Sequence, residues 1–423
     1  MSELGPSPLT SGNELPVAAA RAAIASALRP VTGTETVALR DALSRVLSSD
    51  VVSPIAVPAN DNSAMDGYAL RGADLLADQP TALRALPGAV FAGAADGGTL
   101  GAGECVRIMT GAVMPLDADT VVPIELCQVD GQLVTLQAGV LRAGDNRRQR
   151  GEDLALGGVA LAAGRVLRPA DLGLLASLGL ATATVRRRLR VALFSTGDEL
   201  CTPGQPLGPG QIYDSNRYSL LGALHRLGID VLDLGLVPDD PVQLQAAIDR
   251  AIAEADAVVT SGGVSMGDAD YIRELLAERG EVAFWQVAMR PGRHFAFGPL
   301  RGEAGKTAYL FALPGNPVAA LVTFYAFVHD ALLTLAGATP AALPRLTVKS
   351  AVAIRKRPGR TEFQRAIVSN AAGGGWQART TGAQGAGILS SMSQANALLV
   401  LGHEQGSVAA GEDVEVWLFD GLV

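Results

Sequence analysis

Apolar residues at helical spacing open the ordered pattern of the chain. Val17, Ala20, Ile24 and Leu28, with Pro16 in front of them, predict an N-terminal helix over residues 16–29. From 52 to 150 short β-rich runs (105–108, 120–126, 133–136) alternate with Gly-rich turns, which predicts a small, mainly β domain. A second helix is expected at 169–178. Between 189 and 336 the pattern changes to strands alternating with helices. The strand candidates are 189–195, 231–236, 257–260, 282–287 and 308–313. Helical spacing falls between the first three, at Leu220, Leu221, Leu224 and Leu227, then at Leu244, Ile248, Ala251, Ile252 and Ala255. Alternation of this kind implies a doubly wound, mostly parallel α/β sheet that binds ligands outside the carboxyl ends of its strands. After Pro344 short β runs return (346–354, 363–368, 397–401, 414–418) and predict a C-terminal β domain. The expected fold class is therefore a multidomain α/β protein.

Composition narrows the possible functions. A chain of 423 residues with 48% hydrophobic residues can build two or more cores. With 34 basic against 42 acidic residues the net charge is −8, which is poorly suited to non-specific nucleic-acid binding. Lysine occurs only at 306, 349 and 356, so nearly every cation is an arginine, whose planar fork suits oxyanions. Cys105, Cys127 and Cys201 form no CxxC pair and the four histidines are scattered, which argues against a zinc cluster. The first sixteen residues lack the basic and apolar regions of a signal peptide. The longest apolar stretch, 318–336, contains His329 and Asp330 and reads as a buried helix, not a membrane span. A cytoplasmic protein is expected.

Chemistry gathers where glycines and charges fall at strand ends. FSTGDEL (194–200) follows the first strand, TSGGVSMGDADY (260–271) the third, AMRPGRHFAFG (288–298) the fourth and ALPGNPVAA (312–320) the fifth. All four should meet on one edge of the sheet. Glycines there let backbone amides approach a ligand, and helix starts at 270 and 317 favour anions. The candidate cofactor-binding residues are Ser195, Thr196 and Gly197 in the first loop, and Ser261, Gly262, Gly263, Gly267 and Asp268 in the second. Pro314, Gly315, Asn316 and Pro317 complete the set. GKT at 305–307 lacks the earlier glycine of a Walker loop. Carboxylates recur in the loops: Asp198, Glu199, Asp214, Asp268, Asp270 and the pair Asp239–Asp240. Such oxygens hold hard divalent cations, although an Asp before Pro241 equally suits a helix cap. Glu199 and Asp270 read as functional. Arg290 and Arg293 bracket a Pro-Gly turn, Arg147, Arg148 and Arg150 precede GED, and the basic run 186–188 reads as surface.

These motifs carry a family resemblance. ANDNSAMDGYA (59–69) resembles the signature of MoeA-type molybdopterin molybdenumtransferases, which are related to the E domains of gephyrin and of plant molybdenum-cofactor proteins. RIMTGAVMP (107–115), RRQRGEDL (147–154), STGDEL (195–200), SGGVSMGDADY (261–271), RPGRHFAFG (290–298), PGNPV (314–318) and GRTEFQRA (359–366) follow in the family's order, so the likeness spans about residues 15 to 420. It implies an elongated discontinuous domain I (15–51 and 151–188), a β domain II (52–150), a MogA-like molybdopterin-binding domain III (189–338) and a β-barrel-like domain IV (343–423). It also implies a homodimer whose cleft pairs domain III of one subunit with domain II of the other. The reaction implied is insertion of molybdate into adenylylated molybdopterin with release of AMP, assisted by Mg²⁺ or Zn²⁺. Asp66, Thr110, Asp153, Glu199 and Asp270 would be catalytic, and Asp66, Glu199 and Asp270 would hold the metal. Asp214 and Asp239 would join the cofactor site, and Arg290, Arg293 and Arg365 would handle pterin phosphate or molybdate. Molybdopterin adenylyltransferase and downstream molybdoenzymes would be partners.

The sequence departs from the family pattern at several positions. Asn60 replaces an aromatic residue, Gln286 a lysine, and Arg290 and Arg293 the lysines of the turn. Ala319 and Ala386 stand where hydroxyl-bearing residues are common, which touches the molybdate site more than the pterin site. Two other readings stand beside insertion of molybdenum. One is a tungstate-handling or partly inactive paralogue, and the other is a non-catalytic binding scaffold. A scaffold would not need the carboxylates retained in DNSAMDG, TGDEL and GDAD.

Overall fold

The computed structural model describes residues 14–94, 97–262, 279–302, 305–339 and 344–419. At its centre is a six-stranded sheet, ordered Asp230–Val237, Arg190–Thr196, Ala257–Ser261, Thr307–Leu313, His294–Arg301, Ala283–Gln286. The first four strands are parallel and the last two form an antiparallel edge. Six of the seven residues of Arg190–Thr196 are buried, as is all of Ala257–Ser261, because helices cover both faces. Alternation within the apolar run divides it between two cores. Val191 and Leu193 face the side of the helices Val17–Ala27, Asn216–Arg226 and Pro317–Thr323, while Ala192 and Phe194 pack with Leu244, Ile248, Ala251 and Ile252 of Pro241–Glu254.

Two expectations for this region change. Residues 294–298 belong to a strand and not to a loop, because Phe295 and Phe297 enter one core while Ala296 enters the other. An unbroken apolar run containing Gly298 and Pro299 shows no alternation in sequence, so its strand character stays hidden. The apolar stretch after Pro317 forms the segments Pro317–Thr323, Phe324–Val328 and His329–Leu335. By length and composition it could cross a membrane, yet it lies in the main hydrophobic core.

Flanking segments that are distant in sequence build a shared unit. Thr34–Ala38 pairs antiparallel with Thr182–Arg186, and Val51–Val52 pairs with Val159–Leu161. Ala42 and Leu47 share a core with Leu161, Leu167, Leu175 and Val185. Between them lies a six-stranded sheet in the order Thr120–Pro123, Gly67–Leu70, Glu104–Ile108, Thr81–Val90, Leu133–Leu136, Cys127–Asp130. The run expected as one strand over 120–126 stops at Pro123 and turns into a short 3₁₀ segment, Ile124–Leu126, with the Ile124 amide donating to Asp66 O.

At the C-terminal end, Thr361–Asn370, Trp376–Thr380, Arg345–Ser350, Asp413–Leu418 and Ala397–Leu401 pair in succession. The first also pairs with the last, which closes a barrel. The strand expected over 346–354 ends at Ser350. Trp376–Thr380 and the helix Leu389–Gln394 had no periodic signal. Met289–Arg290 adds in parallel to Thr361–Glu362, so the RPGR turn joins the α/β sheet to the barrel. Gly292 in that turn has φ +95°, and a Cβ there would lie 2.3 Å from Thr323 Oγ1, so the turn packs closely on the core helix.

Candidate functional site

Three strand ends of the α/β sheet are tied together by the segment that opens the helix Asn216–Arg226. Ser195 is buried and its Oγ donates to Asp214 Oδ1 at 3.1 Å. Asp214, also buried, accepts from the Arg217 amide and from Arg217 Nε. The Arg217 guanidinium continues to Asp233 at 2.6 Å and lies over the Tyr218 ring. Asn216 Nδ2 donates to Ser261 Oγ at 2.7 Å and to Gly315 O at 2.6 Å, and so links the SGG and PGN loops. Gly262 has φ +96°, and a Cβ there would meet Thr196 O at 2.3 Å, so only glycine fits between the first two loops. Its amide donates to Leu313 O.

Carboxylates at this edge divide by role. Asp240 caps the helix Pro241–Glu254 by accepting from the Gln243 amide at 3.0 Å. Asp239 instead accepts from Thr196 Oγ1, and its own amide donates to Asp198 Oδ1. The capping alternative is thus right for one residue of the pair and wrong for the other. Glu199 is exposed at the end of the FSTG loop, with its carboxylate folded back over Gly197. Gly263, Gly267, Asp268 and Asp270 lie outside the described residues.

The basic residues change most from expectation. Arg290 is exposed, but Arg293 is already engaged by Glu14 at 2.6 Å and by Gln286 Oε1 at 3.1 Å. Arg365 is fully buried. Its guanidinium donates to Ser391 Oγ, Ala383 O, Gln384 O and Gly385 O, so it holds the 383–385 loop and presents no free fork. Burial first, and then the charge of Arg290, bring its pKa down to about 10. The helix start at 317 is also less open to anions than the sequence suggested. Pro317 has no N–H, and the Val318 amide donates to Ala386 O at 3.0 Å.

A second cluster lies on the β sheet of 67–136 and its edge. Asp66 Oδ1 accepts from both the amide and the hydroxyl of Thr110, each at 2.7 Å. The amide chiefly, then the hydroxyl, hold the Asp66 carboxyl below its ordinary pKa. The DNS and RRQR motifs meet through the pairing of Asn62–Ser63 with Arg147–Arg148. Asp61 bonds Arg147 at 2.6 Å and accepts from the Arg150 amide. Asp153 is exposed nearby, its amide bonded to Val57 O. Among the described residues no three His, Cys, Asp or Glu side chains converge as metal ligands. Asp66 and Glu199 sit on separate sheets, so the described part of one chain does not assemble the expected cation site.

Comparison with known proteins accounts for all of these segments. Residues 15–179 match the MoeA N-terminal region (domain I and II), 192–334 a probable molybdopterin binding domain, and 347–419 the MoeA C-terminal region (domain IV). The chain is 39% identical over 393 residues to the molybdopterin molybdenumtransferase of Haemophilus influenzae, covering 93% of this chain and 95% of the relative. The chain belongs to the MoeA family. It is also 38% identical over 401 residues to molybdopterin molybdenumtransferase 2 of Mycobacterium tuberculosis, covering 92% and 95% of the two chains. The crystal structure of the molybdopterin biosynthesis moeA protein from Pyrococcus horikoshii OT3 superimposes with a TM-score of 0.80 at 27% identity, over 96% of this chain and 100% of that one. The multidomain α/β class expected from the pattern is the MoeA architecture.

Several residues of these clusters lie outside the sequence-based expectation. Asn216 and Arg217 are two of them, although DSNR at the start of a helix combines an acceptor with two donors able to reach neighbouring loops. Asp233, Gln384 and Ser391 had no local signal, because each acts only through a partner brought up by the fold.

Proposed function

We propose that this MoeA-family chain inserts molybdate into adenylylated molybdopterin and releases AMP. The observation that carries the reading is the knot at Asn216. It holds two Gly-containing loops at the carboxyl edge of a doubly wound sheet, with Ser195, Thr196 and the exposed Glu199 in the adjoining loop. In the reaction water attacks the phosphoanhydride and AMP leaves while the pterin keeps its own phosphate. The two dithiolene thiols displace one molybdate oxygen, which departs as water with both thiol protons, and the sulfurs take up molybdenum. The loops at 195–197, 261–262 and 314–316 would bind and orient the pterin phosphate. Glu199, and Asp66 kept ionised by Thr110, would supply carboxylates to the reacting groups.

The Asp66–Thr110 cluster and the strand-end knot lie on different sheets of one chain. A homodimer in which one subunit's β sheet faces the other's strand ends would unite them. Val52, Ile55, Leu156 and Val159 are exposed apolar residues around one pair of strands and supply a surface for such contact. The test is incubation with adenylylated molybdopterin, molybdate and Mg²⁺, scoring AMP and active cofactor. Molybdate-dependent AMP release is expected, and its absence would refute the reading. Tungstate in place of molybdate separates the two oxyanions in the same assay.

A further inference from the structure

Between the helix Val17–Ala27 and the C-terminal barrel lies a cavity of about 720 Å³. Its walls are mainly apolar and include Val17, Phe363, Val400, Val414 and Trp417. Arg21 reaches it from the helix, and Arg345, Asp413 and Glu415 from the barrel strands. Glu415 is paired with Arg345 at 3.2 Å and Asp413 with Lys349 at 2.8 Å, so these charges are neutralised by their own partners. Arg21 is left as a cation with no ion pair among the described residues.

Polar atoms on three side chains of this lining are buried and have no hydrogen-bond partner among the described residues: Arg21 Nη2, Trp417 Nε1 and His403 Nδ1. Trp417 is 2% exposed, and the Arg21 guanidinium lies over its ring, 5.0 Å from the centroid. That cation–π contact and the bond from Arg21 Nε to Ala326 O, at 2.8 Å, hold the guanidinium in place. Burial chiefly draws the Arg21 pKa down, against the opposing pull of the Asp330 charge. An arginine keeps its proton even so, and a charge held among apolar walls costs free energy until an opposite charge meets it. A buried indole N–H likewise needs an acceptor. One acceptor that carries a negative charge meets both deficits.

We propose that this cavity binds a small monocarboxylic acid, whose carboxylate accepts from Arg21 Nη2 and Trp417 Nε1 while its apolar body lies against Val17, Val400 and Val414. A carboxylate offers two oxygens, one for each donor. A phosphate dianion suits the site less, because Asp413 and Glu415 border it and a single free guanidinium would face two negative charges. A ligand seated here touches the helix and the barrel together and so stabilises their junction. The site is separate from the strand-end knot and stands independently of the reaction proposed above.

Calorimetric titration of the full chain with benzoate, and with benzamide as its neutral counterpart, tests the site. Benzoate should bind one per chain, at least about tenfold tighter than benzamide. The indole N–H resonance of Trp417, assigned by its loss in Trp417→Phe, should shift as benzoate is added. Trp417→Phe keeps a ring beneath Arg21 and removes the N–H, and it should weaken benzoate by about tenfold or more. Arg21→Met removes the charge and should bring benzoate down to the level of benzamide. Both ligands are measured on that variant because a loosened helix would weaken them together and leave their ratio as it was. No benzoate binding, equal affinity for the two ligands in the unaltered chain, an unmoved Trp417 resonance, wild-type affinity in Trp417→Phe, or a preserved preference for benzoate in Arg21→Met would overturn the proposal.

Discussion

Replacing Asn216 by alanine should loosen two loops at once. The residue is 8% exposed and gives two short side-chain bonds, to Ser261 Oγ at 2.7 Å and Gly315 O at 2.6 Å. A typical bond contributes about 0.5–1.5 kcal/mol net, so losing the pair costs about 1–3 kcal/mol locally. The full desolvation penalty does not apply. Ser261 Oγ still reaches Pro314 O at 3.4 Å, and Gly315 is exposed enough to recover water. At about 1.4 kcal/mol per tenfold, the loops shift toward open arrangements by roughly five- to 150-fold. Substrate must then close them again, so KM should rise toward that factor while kcat changes little. Asn216→Asp, which keeps the volume and sets a carboxylate against a carbonyl, should behave like the alanine variant. Molybdate-dependent AMP release measures KM and kcat, and amide exchange at Gly262 and Val318 reports the loops directly. If both variants kept kcat/KM within about twofold of wild type with unchanged exchange, the idea that Asn216 organises the site would be wrong.

Two further outcomes are expected. Arg365→Met removes the donor set from three carbonyls and Ser391, and each lost hydrogen bond from a charged donor contributes about 1.5–3 kcal/mol. The barrel should therefore unfold at markedly lower denaturant, and an unchanged midpoint for the barrel's transition would contradict the clamp role given to Arg365. Thr110→Val should raise the Asp66 pKa toward its ordinary value, because one of the two bonds to Oδ1 is lost. The folded pKa is depressed, so this interaction is present above the unfolded carboxylate pKa and is lost as pH falls through the folded one. The acidic limb of activity should accordingly move to higher pH in the variant, and a carboxylate titration by NMR that left Asp66 in place would count against the bond.

Much of the architecture was legible in the chain. Continuous apolar runs such as Val191–Phe194 need helices on both faces, and their spacing with Leu220, Leu224, Leu244 and Ile248 specified a doubly wound sheet. Gly-rich turns after the strands marked the carboxyl edge of the sheet, because a glycine at a strand end is a local steric fact that sequence records directly. Asp240 before Pro241 is local in the same way, with donor and acceptor three residues apart. Partner choice between distant segments is not local. Nothing near Asp66 names Thr110, nothing near Arg293 names Glu14, and GRTEFQRA gives no sign that Arg365 turns inward to carbonyls while Arg355 and Arg357 stay outside. Sequence periodicity tells which face of an element loses water. Which polar groups are left facing one another after that loss depends on how the elements pack, and the closed barrel, the knot at Asn216 and the cavity beside Trp417 come into being only at that step.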